Sequence, residues 1–157
     1  MPTLFHSSRE QRLDALQSHL RRARMITPQL LADVMADTCL CPQAQDPDGK
    51  SSVLRLIDSG AFADAALRLL ALELPRWKLR RLIQEDGEWH CALSKELGLP
   101  AELDDMAEAR HESLPLAILS AFVEASRVTL AATAGRPTSV PEVLPAPGNI
   151  VCCDNFR

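Results

Sequence analysis

The pair His90-Cys91 combines a thiol nucleophile with a general base, a combination that can support nucleophilic catalysis. It lies in QEDGEWHCALS, residues 84–94, directly after the turn signal Asp86-Gly87. That context predicts the return strand of a β-hairpin. Successive side chains of a strand point to opposite faces, so the two groups cannot act on one substrate atom. We therefore expect Cys91 to be a small core residue and His90 to lie on a polar face.

The remaining cysteines and histidines give poor metal-ligand spacings. Structural zinc favours ligand pairs separated by two to four residues, whereas Cys39-x-Cys41 has a one-residue gap and Cys152-Cys153 has none. One Glu-x-x-His pair ends at His111, but a di-metal helical bundle needs two. The sequence has no glycine-rich phosphate loop, nucleophile elbow or dinucleotide fingerprint. It predicts no metal, cofactor or catalytic residue and leans away from an enzyme.

The loop length of the predicted hairpin decides which residues share a face. A two-residue loop pairs Ile83 with His90 and mixes polar and apolar side chains on both faces. A three-residue loop pairs Ile83 with Trp89 and separates the two kinds. Because a one-residue slip moves every side chain to the other face, this separation favours the three-residue loop, with strands near 77–84 and 88–94.

The three-residue loop gives the hairpin one apolar and one polar face. The apolar face holds Trp77, Leu79, Ile83, Trp89, Cys91 and Leu93. The polar face holds Lys78, Arg80, Gln84, Glu88, His90 and Ser94. Arg81 falls on the apolar face, where a buried guanidinium needs an anionic partner. An acid of residues 102–112 is the simplest candidate, and an anionic ligand is the alternative.

Helical patterns account for most of the remaining chain. The predicted helices start near Ser7, Pro28, Ser51, Ala61, Ala101 and Pro115. The fourth helix is apolar around most of its circumference, so we expect it to be the central buried one. The predicted fold is α+β and mainly helical, with about six helices and one antiparallel hairpin packed on helices. Residues 1–134 are expected to form one globular domain, and the Pro-rich residues 135–157 an extended or disordered tail.

Charge and composition narrow the classes of partner. The net charge of −4 makes nucleic-acid binding a weak prediction. Residues 76–81 are basic and residues 96–126 are acidic, and such complementary patches often meet within a fold or across a dimer. No run of about 18 apolar residues predicts a membrane span, and the N-terminal residues lack a signal-peptide pattern. We therefore expect a cytoplasmic protein whose five cysteines are free thiols.

A family resemblance covers about the central half of the chain. It is carried by LIDSGAFADAALRLLALELPRWKLRRLIQEDGEWHCALS and by EARHESLPLAILSAFVEA. These stretches resemble short proteins of unknown function that are common in alphaproteobacterial genomes. Because no activity comes with that resemblance, it implies nothing about mechanism.

Three functions remain open from the sequence. The first is a cytoplasmic protein-interaction module, expected to be homodimeric, with an unidentified protein as a further possible partner. Its expected contact residues are Lys78, Arg80 and His90. The second is a small ligand-binding protein or enzyme with a pocket beside the hairpin. That pocket would be lined by Trp77, Arg81, Trp89 and His111. The third is a DNA-binding helix-turn-helix within residues 21–58, although its central loop exceeds the usual three or four residues.

Overall fold

The computed structural model describes residues 3–38, 47–100 and 104–134. Its elements are α1 (Thr3–Arg22), α2 (Pro28–Thr38), α3 (Pro47–Asp58), α4 (Phe62–Glu73), β1 (Lys78–Glu85), β2 (Glu88–Ser94), β3 (Met106–His111) and α5 (Leu114–Ala134). The described part is α+β and mainly helical, with five helices and a three-stranded antiparallel sheet. The predicted class is therefore confirmed, but the predicted six helices and single hairpin are not. The predicted tail and Cys39, Cys41, Cys152 and Cys153 lie outside the described residues.

The helix starts follow the local signals to different degrees. Helix α2 begins as predicted, since the Leu30 backbone N–H donates to Thr27 Oγ1 over 3.2 Å. Helix α1 already begins at Thr3, ahead of the serines that predicted its start. Helix α3 begins at Pro47, four residues before Ser51, because a first-turn proline loses no helical hydrogen bond.

The central buried helix is α5 rather than α4. Every residue from 116 to 123 is buried, and the helix packs against α1, α2, α4 and the sheet. Helix α4 instead forms a hairpin with α3, which turns at Gly60 with a φ of 78°. The prediction of a central α4 was wrong, because the main contacts of α4 with other described elements are limited to α3 and α5.

Helix α5 is also the one helix of the described residues that is long and apolar enough to cross a membrane. The stretch Leu114–Thr133 has a mean hydropathy of 1.5. Within the fold 61% of that stretch is buried by the surrounding elements. Its apolar character is therefore accounted for by its position in the protein core, since a helix that is apolar all round is either a core helix or a membrane span.

The hairpin loop contains two residues, not three. Asp86 and Gly87 have φ values of 52° and 84°, and Glu85 pairs with Glu88 across them. Positive φ at both central residues is the requirement of the tight hairpin turn that Asp-Gly favours. The register expected near the loop was therefore wrong.

A β-bulge at Arg80 reconciles the two possible registers. Near the loop Leu82 pairs with Cys91, but beyond the bulge Leu79 pairs with Leu93, as the three-residue loop predicted. The extra residue shifts the strand by one position. Leu82 packs against the core, whereas Leu79 is 38% exposed. Arg81 consequently pairs with Ala92 and is exposed, which overturns its predicted burial.

The third strand was predicted as an acidic helix over residues 101–111. Residues 106–111 instead pair antiparallel with β2, and the sheet order is β1-β2-β3. Ala107 is fully buried against the core, while Glu108 and Arg110 are exposed. This alternation has the period of two that a half-buried strand requires.

Candidate interaction surface

The sheet has one face packed on α5 and one face turned away from it. Cys91, Leu93 and Ala107 lie on the inner face and belong to the hydrophobic core. The opposite face is called here the outer sheet face. Its residues form two cross-strand rows, Arg81–Ala92–Glu108 and Ile83–His90–Arg110. The inner face therefore packs against the core, and the outer sheet face is the one that could contact a partner.

Charged groups surround a less exposed centre on the outer sheet face. Arg81, Glu108 and Arg110 are exposed, whereas Ile83 and His90 are half-buried. None of the ion pairs among residues 3–38, 47–100 and 104–134 involves these three charged side chains. Arg81 and Glu108 are two strand spacings apart, roughly 9–10 Å between backbones, with the small Ala92 between them. Their charges are available to a partner.

Arg80 belongs to a different arrangement, which we call the Asp104 cluster. Its guanidinium donates to Asp104 Oδ2 over 3.4 Å and to the Leu99 carbonyl over 3.0 Å. Asp104 also accepts from the Ser94 hydroxyl and, over 3.2 Å, from the Glu96 backbone N–H. The Asp104 side chain is only 2% exposed. These contacts join the start of β1 to the segment that connects β2 with β3.

The Asp104 cluster favours the ionised carboxylate. The Ser94 hydrogen bond lowers the pKa of Asp104 most strongly, and burial opposes it. The backbone N–H groups of Glu96 and Lys95 and the charge of Arg80 lower that pKa further. Ser94 is fully buried and its hydroxyl is occupied by the carboxylate. The cluster therefore has a structural role, because the Ser94 hydroxyl is not free to act as a nucleophile.

The thiol of Cys91 is held in a similarly unreactive state. Cys91 is a free cysteine on the inner face with 1% exposure. Burial raises its pKa to about 12, so the thiol stays protonated at neutral pH. His90 points to the other face, as strand alternation requires. The predicted separation of His90 and Cys91 is thus present in the structure.

The residues expected to line a pocket are divided between several places. Trp77 is buried, and its indole N–H donates to Thr129 Oγ1 over 3.0 Å. Trp89 and His111 are cross-strand neighbours, but Arg81 lies on the outer sheet face. The structure therefore brings together two of the four. Of the expected contact residues, Lys78 pairs with Ser94 and is exposed, His90 occupies the outer face, and Arg80 is engaged in the Asp104 cluster.

Two open grooves on the described surface lie elsewhere. The first, of about 370 Å³, runs between α1 and α5 and is lined by Glu10, Asp14, Glu124, Arg127, Val128 and Ala131. Arg127 bridges Asp14 at 3.1 Å and Glu124 at 2.9 Å. The second, of about 190 Å³, lies over the Asp104 cluster and is lined by Lys95, Glu96, Leu99, Asp104 and Asp105. Asp14 and Glu124 are paired with Arg127, Asp104 with Arg80 and Asp105 with Lys95, whereas Glu10 and Glu96 make no ion pair among the described residues.

The helices proposed for DNA binding are not arranged as a helix-turn-helix. Eight residues separate α2 from α3, and α3 packs mainly against α4. Within the described ranges, no three His, Cys, Asp or Glu side chains are placed to hold a metal ion. Of the acidic residues of 104–112, only Glu108 lies in β3.

Sequence reasoning missed the contribution of β3 to this surface. The residues of β3 were predicted to lie in a helix, and Asp104 was not recognised as the acceptor for a specific arginine. The signal was present in MAEARH, where small alanines alternate with larger side chains. A period of two over six residues is typical of a strand, even when its core positions are only alanine.

The fold and surface define a small α+β protein whose three-stranded sheet is covered on one face. Comparisons with protein-family models, with curated proteins and with solved structures found no match. The functional argument therefore depends on the outer sheet face and its edges.

Proposed function

We propose that this chain is a homodimeric protein-interaction module that presents its outer sheet face to a protein partner. The observation that carries the proposal is the set of unpaired charges on that face. Arg81, Glu108 and Arg110 surround the half-buried Ile83 and His90 and make no ion pairs with described residues. A mixed-charge rim around a less exposed centre suits protein recognition, in which complementary charges set partner choice.

Two further features favour binding over catalysis in this proposal. The nucleophile candidates Ser94 and Cys91 are buried, and the hydroxyl of Ser94 is bonded to Asp104. The residues of the alternative pocket are separated, with Arg81 on the face opposite Trp89 and His111. A ligand-binding pocket beside the hairpin therefore receives less support than a contact surface.

A cytoplasmic location forms part of the same proposal. Cys91 is a free, buried thiol, which fits a reducing compartment, where cysteines persist without disulfides. The location is tested by fractionating cells that express the untagged full chain from its own gene. Recovery outside the cytoplasm would contradict this part of the proposal.

The proposed contact face is tested by quantitative co-purification from the native cells. The Arg81→Glu variant should lose partners that the wild-type chain retains. Arg68→Glu is the matched control, because Arg68 is an exposed arginine on α4 without an ion pair among the described residues. Any lost partner must then bind purified wild-type protein directly. The same partners retained by both Arg81→Glu and Arg68→Glu would refute the outer sheet face as the contact surface.

A further inference from the structure

The strand β3 has an edge that no described element covers. It pairs with β2 on one side, and sheet order places it at the end of the sheet. Its outward backbone groups make no hydrogen bond to another described element. An exposed edge of unpaired N–H and C=O groups is a template for another strand. The charges along this edge indicate which strand would fit.

We propose that two copies of this chain join their β3 edges across a two-fold axis at Ala109. This inference rests on the homodimer of the proposed function and specifies its interface. Antiparallel pairing centred on Ala109 places Glu108 opposite Arg110 of the second copy, and Arg110 opposite Glu108 of the second copy. Both contacts lie on the outer sheet face, because cross-strand partners share a face. The edge is therefore complementary in charge to itself.

The inner face of this pairing is also compatible with close approach. Ala109 faces Ala109 of the second copy, and Ala107 faces His111 of the second copy. Small side chains at the axis leave room for the two α5 helices beneath the joined sheet. The result is a six-stranded sheet in the order β1-β2-β3-β3-β2-β1. Its two outer sheet faces are continuous, so the dimer would present two copies of Arg81, Ile83 and His90 on one surface.

The opposite edge of the sheet is less suited to the same role. The bulge at Arg80 interrupts the regular spacing of backbone groups along β1. Bulges and charged side chains are devices that protect an edge strand from pairing. Lys78, Arg80 and Arg81 concentrate positive charge at one end of β1. The pairing of β3 with β2 contains no register shift, so its free edge is regular.

Charge reversal at the two β3 positions tests this interface. The full-length Glu108→Arg and Arg110→Glu variants each turn both cross-strand attractions into repulsions. Each should raise the dimer dissociation constant on the order of tenfold to a hundredfold. Sedimentation velocity over a concentration series measures the change. Asp64→Arg and Arg68→Glu on the exposed surface of α4 are the controls with the same charge changes.

An equal mixture of the two variants provides the decisive measurement. One variant then carries two positive edge residues and the other two negative ones, so native mass spectrometry should show mainly the mixed dimer. The double variant with both reversals should dimerise like the wild type, because its two pairs are exchanged but still opposite in sign. Restored dimerisation in both the mixture and the double variant supports the β3 interface. Failure of dimerisation in either experiment overturns that interface.

The outcomes also separate this interface from the function on which it rests. A wild-type dimer that neither single variant weakens would refute the β3 edge and leave the homodimer in place, with β1 as the next edge to test. A wild-type chain that remains monomeric at every concentration would refute both the homodimer and its interface. Circular dichroism of each variant confirms that the fold is intact before the comparison.

Discussion

Replacing Arg80 with methionine tests whether the Asp104 cluster holds the sheet to its connecting segment. The variant removes the donors to Asp104 at 3.4 Å and to the Leu99 carbonyl at 3.0 Å. Methionine retains much of the apolar stem and therefore much of the packing. The loss thus isolates the polar contacts of a side chain that is 26% exposed.

The expected magnitude follows from the number and exposure of these contacts. Hydrogen bonds involving charged groups contribute about 1.5–3 kcal/mol when well buried, and exposed ion pairs about 0–1 kcal/mol. Arg80 lies between these cases, and its contact with Asp104 is long. We expect the free energy of unfolding to fall by about 1.5 kcal/mol. For a chain of this size that corresponds to a Tm about 3–6 °C lower.

Thermal and urea unfolding followed by circular dichroism measure this change, with Arg81→Met as the matched control. Arg81 is the neighbouring residue, is exposed, and has no ion pair with a described residue. Its substitution should alter the free energy of unfolding by no more than about 0.5 kcal/mol. Equal effects of the two substitutions, or a larger effect at Arg81, would refute the assignment of Arg80 to the cluster.

The pH dependence provides a second check on the same reasoning. The folded-state pKa of Asp104 is lowered, chiefly by the Ser94 hydrogen bond. A carboxyl group with a lowered pKa stabilises the fold above its unfolded pKa, about 3.9, and loses that contribution as the pH falls through the folded pKa. The difference between wild type and Arg80→Met should therefore be complete at pH 7 and shrink below about pH 4. A stability difference between the two proteins that grows as the pH falls would contradict the role assigned to ionised Asp104.

Two other substitutions or treatments check individual parts of the fold. Because burial raises the pKa of Cys91 to about 12, iodoacetamide at pH 8 should leave Cys91 unlabelled in the native protein and label it in urea, as mapped by peptide mass spectrometry. Rapid native labelling of Cys91 would show that the inner sheet face is open. Gly87→Ala should lower the free energy of unfolding by about 1–2 kcal/mol because Gly87 has a φ of 84°, whereas Gly98→Ala should change it little. Equal effects at the two glycines would argue against the two-residue turn.

The hairpin was predictable as an element but not in its register. Asp86-Gly87 and the flanking β-rich stretches located both strands within one or two residues of their observed ends. The predicted register was wrong because one uniform pairing was assumed along the whole of β1. The sequence has no marker for a bulge at Arg80, so a single uniform register had to place either half of β1 incorrectly.

The misassignment of β3 has a different physical origin. Alanine, glutamate and arginine favour helices intrinsically, and MAEARH contains all three. Pairing with β2 and packing on α5 override that preference, because they bury Ala107 and satisfy one edge of the backbone. The sequence predicted that the hairpin packs on the fourth and the last helix, whereas the main helix contact of β2 is with α5. Composition alone could not show that α5 rather than α4 is the central helix, because the two helices are similarly apolar.

The bulge also changes which arginine bears on function. The sequence suggested that Arg81 needed an internal anion and that Arg80 faced a partner. The observed register gives the internal anion, Asp104, to Arg80 and leaves Arg81 exposed on the outer sheet face. Loss of binding in an Arg80 variant would therefore be ambiguous, because the same change releases the segment after β2. Binding must be tested at Arg81, whose removal takes charge from the surface without taking a described ion pair from the fold.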